Sequence, residues 1–157
     1  MKRQLHLSLG SLLLVYLLFF IVPITHASDD EERVALESQY LGVWMGDNGK
    51  ERFEIYKKED KYFGKIIWTS YDDLNGNGLL DSKNPDPSKR NRSIIGLDIL
   101  LDFELNKNGT LSGRVYDPGS GNTYKCKIKL EGDRAEVRGY ILIPLLGRTE
   151  VAYRVKD

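Results

Sequence analysis

Between residues 40 and 155 the chain carries eight strand-like stretches, with no helical pattern between them long enough for a crossover. Parallel neighbours need such a crossover, whereas antiparallel neighbours need only a tight turn, so an antiparallel sheet is expected. The stretches are 40–46, 52–58, 62–69, 94–105, 111–116, 123–130, 135–141 and 148–155. They are rich in β-branched and aromatic residues or alternate apolar with charged positions. In 94–105 the period of two places Ile95, Leu97, Ile99, Leu101, Phe103 and Leu105 on one face, with Asp98, Asp102 and Glu104 on the other. Asn48-Gly49, Asn108-Gly109 and Glu131-Gly132-Asp133 are hairpin signals, Asp117-Pro118-Gly119-Ser120-Gly121 is a loop, and Pro144 and Gly147 interrupt the chain before the last stretch. Short, regularly spaced strands joined by turns make a sandwich or a barrel. Eight in up-and-down order fit a small barrel whose interior holds side chains or one small ligand.

The first and last stretches bear on closure. Gly42-Val43-Trp44 opens the first strand, and Arg154 lies in the last. A small Gly lets backbone pass close to a large ring, and an Arg over a Trp face gains about 0.5–2 kcal/mol. If Trp44 and Arg154 meet, the first and last strands are neighbours and the sheet has no open edges. The other reading of these two residues is an ordinary core aromatic and a surface charge.

Ahead of the strands, Lys2 and Arg3 precede an apolar run at 12–22 and then Thr25-His26-Ala27. That order is expected of a secretory signal peptide cut near Ala27, with an uncleaved anchor as the alternative. Ser8, Gly10, Ser11 and Pro23 break or bound the run, and a spanning helix wants about 20 apolar residues. The expected organisation is a signal peptide over 1–27, a leader or short helix over 28–39 and a barrel domain over 40–157. The protein is then periplasmic or secreted, with no stable membrane span after cleavage. Both histidines, His6 and His26, fall in the removed segment, which excludes a histidine base or metal ligand from the mature domain. Loss of Lys2 and Arg3 leaves 21 basic residues against 23 acidic, a formal charge of −2, so no electrostatic case exists for nucleic acid. Cys126 is the one cysteine, which rules out an internal disulfide and leaves a buried thiol or an intermolecular bond.

Several motifs occur in order: Gly42-x-Trp44; Phe63-Gly64-Lys65-Ile66-x-Trp68; Asn84-Pro85-Asp86-Pro87 with Arg90-x-Arg92-x-x-x-Gly96; Gly113-x-x-Tyr116-Asp117-Pro118-x-x-Gly121-x-x-Tyr124; Arg138-Gly139-Tyr140; Pro144-Leu145-x-Gly147-Arg148-Thr149; and Tyr153-Arg154-Val155. Together they resemble the domain of unknown function 2147 family of small exported bacterial proteins, over nearly all of 41–155. Where that family usually has Cys and Trp, this chain has Phe63 and Tyr153. The resemblance implies an all-β, eight-stranded antiparallel up-and-down lipocalin-like (calycin-type) barrel with a cavity that could take an apolar ligand, and leaves open whether that cavity is open or filled by side chains. It implies no established activity. The Gly-x-Trp and terminal Arg also resemble the lipocalin signature.

The sharpest chemical motif is Asp73-Leu74-Asn75-Gly76-Asn77-Gly78-Leu79-Leu80-Asp81, which follows the calcium-loop order of oxygen ligands. Asp73, Asn75 and Asn77 would offer side-chain oxygens, Leu79 its carbonyl, and Asp81 a direct or water-mediated contact. The twelfth position, where a bidentate Glu is wanted, is Asn84. The alternative is a solvated Asn-Gly turn.

Three functional readings follow. The first is a non-enzymatic carrier or sensor of a small apolar or amphipathic molecule, with Trp68, Tyr71, Tyr116 and Tyr140 lining its site and Arg90, Arg92 or Arg148 fixing an anionic head. The second is a cell-envelope interaction module acting through surface loops, with 84–87 and Arg90-Asn91-Arg92 as the contact. The third is an enzyme built on carboxylates such as Asp98 and Asp102. Their place on the solvated side of a strand, and the absence of Gly-x-Ser-x-Gly, argue against catalysis. Oligomeric state is left open by the sequence.

Overall fold

The computed structural model describes residues 24–71 and 78–156, with side chains from Asp29 onward. Helix α1 runs Ile24–Tyr40. Its residues from Glu37 on belong to the same compact unit as the strands. The strands are β1 (Gly42–Gly46), β2 (Glu51–Lys58), β3 (Lys61–Thr69), β4 (Asp98–Leu105), β5 (Leu111–Asp117), β6 (Asn122–Glu131), β7 (Arg134–Tyr140) and β8 (Arg148–Arg154). Each pairs antiparallel with the next, and β8 returns to β1, closing the barrel.

Alternation sets which residues face inward. On β6, Cys126 and Ile128 are buried while Lys125, Lys127 and Lys129 are exposed. Burial pushes the Cys126 thiol up to about 12, with Glu150 adding to the rise. That leaves it a protonated core residue at neutral pH.

β4 departs from the period of two. The strand begins at Asp98 rather than 94, because Ile94 to Leu97 forms a turn: the Leu97 amide donates to the Ile94 carbonyl at 3.1 Å, and Gly96 has φ +82°. Further along, Asp102 takes φ +55° and the register with β5 shifts between Leu101 and Glu104. This bulge changes the inward phase, so Leu100 and Phe103 are buried while Leu101 and Leu105 are only half-buried and Ile95 is exposed. A left-handed non-glycine residue costs roughly 1–2 kcal/mol. The Asp102 carboxylate is held by Arg114 on β5.

Trp44 and Arg154 are direct register partners across β1 and β8. The guanidinium carbon lies 4.5 Å from the centroid of the fully buried Trp44 ring. Arg154 also donates to the carbonyls of Leu41, at 2.9 Å, and Gln39. Gly42 makes room: it has φ +113°, and a Cβ there would stand 3.3 Å from the guanidinium. The indole N–H donates to the Tyr40 carbonyl at 3.0 Å, and the Tyr40 hydroxyl donates to the Gly109 carbonyl at 2.6 Å. The end of α1 and the β4–β5 turn are thereby tied together beneath the barrel. Phe103, Leu111, Ile128, Ala135 and Ala152 complete the packed base.

Candidate ligand-binding mouth

Opposite that base the barrel opens into a cavity of about 750 Å³. Ile66, Ile94, Ile99, Val115 and Val137 give it an aliphatic wall. Tyr71, Tyr116, Tyr124 and Tyr140 contribute rings. Charged residues lie on its lining as well: Lys50 from the β1–β2 turn, Glu51 from the start of β2, Asp117 from the end of β5, and Arg148 and Glu150 from β8. Burial pushes the Glu51 carboxyl above the usual carboxylate range; the Asn48 amide pulls it back, and the charges of Glu150 and Asp47 add to the rise. Thr69, at the end of β3, lines the cavity with a buried hydroxyl that has no hydrogen-bond partner among the described residues. A buried polar group left unpaired costs about 1–3 kcal/mol, so such groups call for a reason.

One side of the mouth is built by the β3–β4 connection, which is pinned by the fully buried Asp81. The Tyr116 hydroxyl donates to one carboxylate oxygen at 2.5 Å. The other oxygen accepts from the Asn84 amide at 2.7 Å and the Arg92 Nε at 3.0 Å. Burial alone would raise the Asp81 carboxyl, but these hydrogen bonds and the Arg92 charge outweigh it and hold the group below its usual range. Burial and the bond to Asp81 push the Tyr116 phenol upward. The backbone follows the same path: the Asp81 amide donates to the Arg92 carbonyl, and the Ile94 amide to the Leu79 carbonyl. The connection lies hard against the β5–β6 turn, where Gly121 has φ +75° and a Cβ would fall 1.9 Å from the Lys83 carbonyl oxygen. Asp81 therefore sets Leu79 and Ile94 in the cavity wall.

Of the seven residues expected from sequence to contact a ligand, Tyr71, Tyr116, Tyr140 and Arg148 line the cavity. Trp68 instead stacks with Arg52, whose guanidinium carbon is 5.2 Å from the ring centroid. Arg90 donates to the Asn84 carbonyl at 2.8 Å, and Arg92 serves Asp81, so both brace the connection. Of the calcium-loop residues, Asp73, Asn75 and Asn77 lie outside the described residues. The Leu79 carbonyl and the Asp81 carboxylate are engaged within the chain as above. The acids weighed for catalysis are each taken by a neighbour, Asp98 by the Tyr56 hydroxyl at 2.9 Å and Asp102 by Arg114. Sequence reasoning missed Thr69, Glu51 and Glu150. Only their placement at strand ends, where β2, β3 and β8 meet the mouth, could have singled them out.

A closed eight-stranded up-and-down barrel, sealed around a Gly-x-Trp and a terminal Arg and hollow at the other end, is a lipocalin-like barrel. The chain belongs to the family described as "Uncharacterized protein conserved in bacteria (DUF2147)", which matches residues 42–154. Its structure is similar to that of protein HP1028 from the human pathogen Helicobacter pylori, described as belonging to the lipocalin family. The TM-score is 0.65 and the identity 22%, over 75% of this chain and 84% of that one. No curated protein matches the sequence.

Proposed function

We propose that this protein is an exported, non-enzymatic carrier or sensor that holds one small amphipathic molecule in its mouth cavity. The observation that carries the reading is a cavity of about 750 Å³ with an aliphatic wall, a charged edge and a Thr69 hydroxyl that has no partner among the described residues. Small-molecule sites are mostly apolar with a few placed polar groups, and their volumes fall at roughly 300–1,000 Å³. Ile66, Ile99, Val115 and Val137 would cover the apolar body, Thr69 would hydrogen-bond a polar atom, and Arg148, Glu51 and Glu150 would meet the more hydrated end. Export rests on the basic, apolar and small-residue order of residues 1–27.

Native mass spectrometry of protein recovered from its host, followed by organic extraction, tests the reading. A stoichiometric apolar or amphipathic species is expected, on a chain beginning at Ser28. A fluorescent fatty acid should bind and be displaced by that species. An empty protein that also fails to take up the probe would sink the carrier reading, and a chain retaining Met1 to Ala27 and found only in the cytoplasmic fraction would sink export.

A further inference from the structure

The β7–β8 connection carries an unusual load of apolar surface. Ile141, Leu142, Ile143, Leu145 and Leu146 are 50–81% exposed. A contiguous run of this kind marks a surface meant for contact. The run is not loose chain. Pro144–Leu146 forms a turn of 3-10 helix, and Arg138 grips it from below. Its Nε donates to the Pro144 carbonyl at 2.6 Å, one terminal nitrogen to the Leu145 carbonyl at 3.2 Å, and the other to the Thr149 hydroxyl at 2.6 Å. The apolar side chains are thus held outward by an ordered scaffold.

The barrel face behind this tip is basic. Lys125 and Lys127 stand on the outward side of β6, in register with Tyr140 and Arg138 of β7, whereas Arg148, level with Gly139, lies on the cavity side. The first outward carboxylate met on β7 is Glu136, level with Lys129 and already paired with Arg134. Lys125, Lys127 and Arg138 make no ion pair with a carboxylate among the described residues. We infer that the 141–146 tip and this basic collar form a docking surface for an anionic lipid bilayer. The apolar side chains enter the acyl boundary while the cations stay at headgroup level, the division of labour of interfacial binding elements. Ile141 and Leu146 also line the cavity, so immersion would join the cavity to the lipid phase. That last step rests on the carrier reading; the docking itself does not.

The test places an environment-sensitive nitrobenzoxadiazole label at L145C in the whole chain. The native thiol, Cys126, is buried, which confines labelling to the new site. A second protein carries the label at K107C, on the β4–β5 turn at the base. With mixed phosphatidylglycerol–phosphatidylcholine vesicles the label at 145 should brighten several-fold and shift to the blue, while the label at 107 stays as in water. Pure phosphatidylcholine should give a much weaker change, and K125E/K127E should weaken the response roughly tenfold or more. Because the readout is local, an N-terminal segment that tethers the chain to vesicles cannot imitate it. The inference fails if the label at 145 is unmoved by vesicles, if it responds equally to neutral lipid and to the charge-reversed variant, or if it brightens with protein concentration alone, which would make a second copy the occupant. Ligand extraction is unaffected by these outcomes, so failure here and failure of the carrier reading are distinguishable.

Discussion

At the base of the barrel Trp44 has no exposed surface, its indole N–H is paired, and Arg154 covers its ring while bonding two carbonyls. At the mouth Thr69 is buried without a partner among the described residues, Glu51 is pushed toward its neutral form, and a row of aliphatic side chains faces water. The same eight strands run through both ends, so the strand pattern cannot account for the difference. Satisfaction of polar groups and close packing stabilise a fold. A region that forgoes both has been shaped by something other than stability, and binding is the usual cause.

Substitutions at the two ends should therefore behave differently. Trp44→Ala at the base should cost the most, about 3–5 kcal/mol by urea unfolding, from lost burial and the cavity left behind. A cost under about 1 kcal/mol would mean the base does not hold the barrel. Asp81→Asn should come next, at about 2–3 kcal/mol, because it removes the counter-charge of Arg92 and part of a satisfied network; Arg92 is partly exposed, which keeps the figure below that of a fully buried pair. The folded-state pKa of Asp81 is depressed, so its contribution is present above the unfolded value of about 3.9 and is lost as pH falls through the lower folded value. Wild-type stability should accordingly decline in acid more steeply than that of Asp81→Asn, and parallel pH profiles would remove Asp81 from the account. Arg154→Gln should cost about 1–2 kcal/mol, from the lost ring contact and charged hydrogen bonds.

At the mouth the effect should move from stability to binding. Val137→Trp fills the cavity, and because that space is open the change in unfolding free energy should stay within about 1 kcal/mol. Affinity for a fluorescent fatty acid should fall tenfold or more. A destabilisation as large as that of Trp44→Ala, with binding intact, would erase the contrast between the two ends. The smallest effect is expected from calcium. With the Leu79 carbonyl and Asp81 both engaged, millimolar calcium should leave the melting temperature where it is. A rise that disappears in Asp73→Ala would support the metal reading of 73–81.

The base was largely legible in the sequence. Gly42, Trp44 and Arg154 carry distinctive chemistry at the two ends of the strand series, and closure follows if they meet. The strands were legible wherever alternation was unbroken, as in β6. β4 was not, because a bulge at Asp102 and a turn at Gly96 change the phase, and a positive φ at an aspartate leaves no mark in an alternating pattern. The mouth was read in part. Tyrosines near strand ends suggested a site, but Arg90 and Arg92 served the connection, a role visible only once Asp81 was seen to be buried beneath them. Thr69 and the two glutamates gave no signal, since their importance lies in their placement around the cavity, which no local pattern marks.

The closure of β1 on β8 also fixes where the chain enters and leaves. The Val155 amide donates to the Val43 carbonyl at 2.9 Å, so the run into the first strand and the run out of the last share one rim, away from the cavity. Anything fused or tethered through either side of the barrel hangs from its sealed floor, and the opening is left to face outward like the bell of a trumpet held by its mouthpiece. A circular permutant that joins those neighbouring ends and cuts the β1–β2 turn would relocate both termini to the opening.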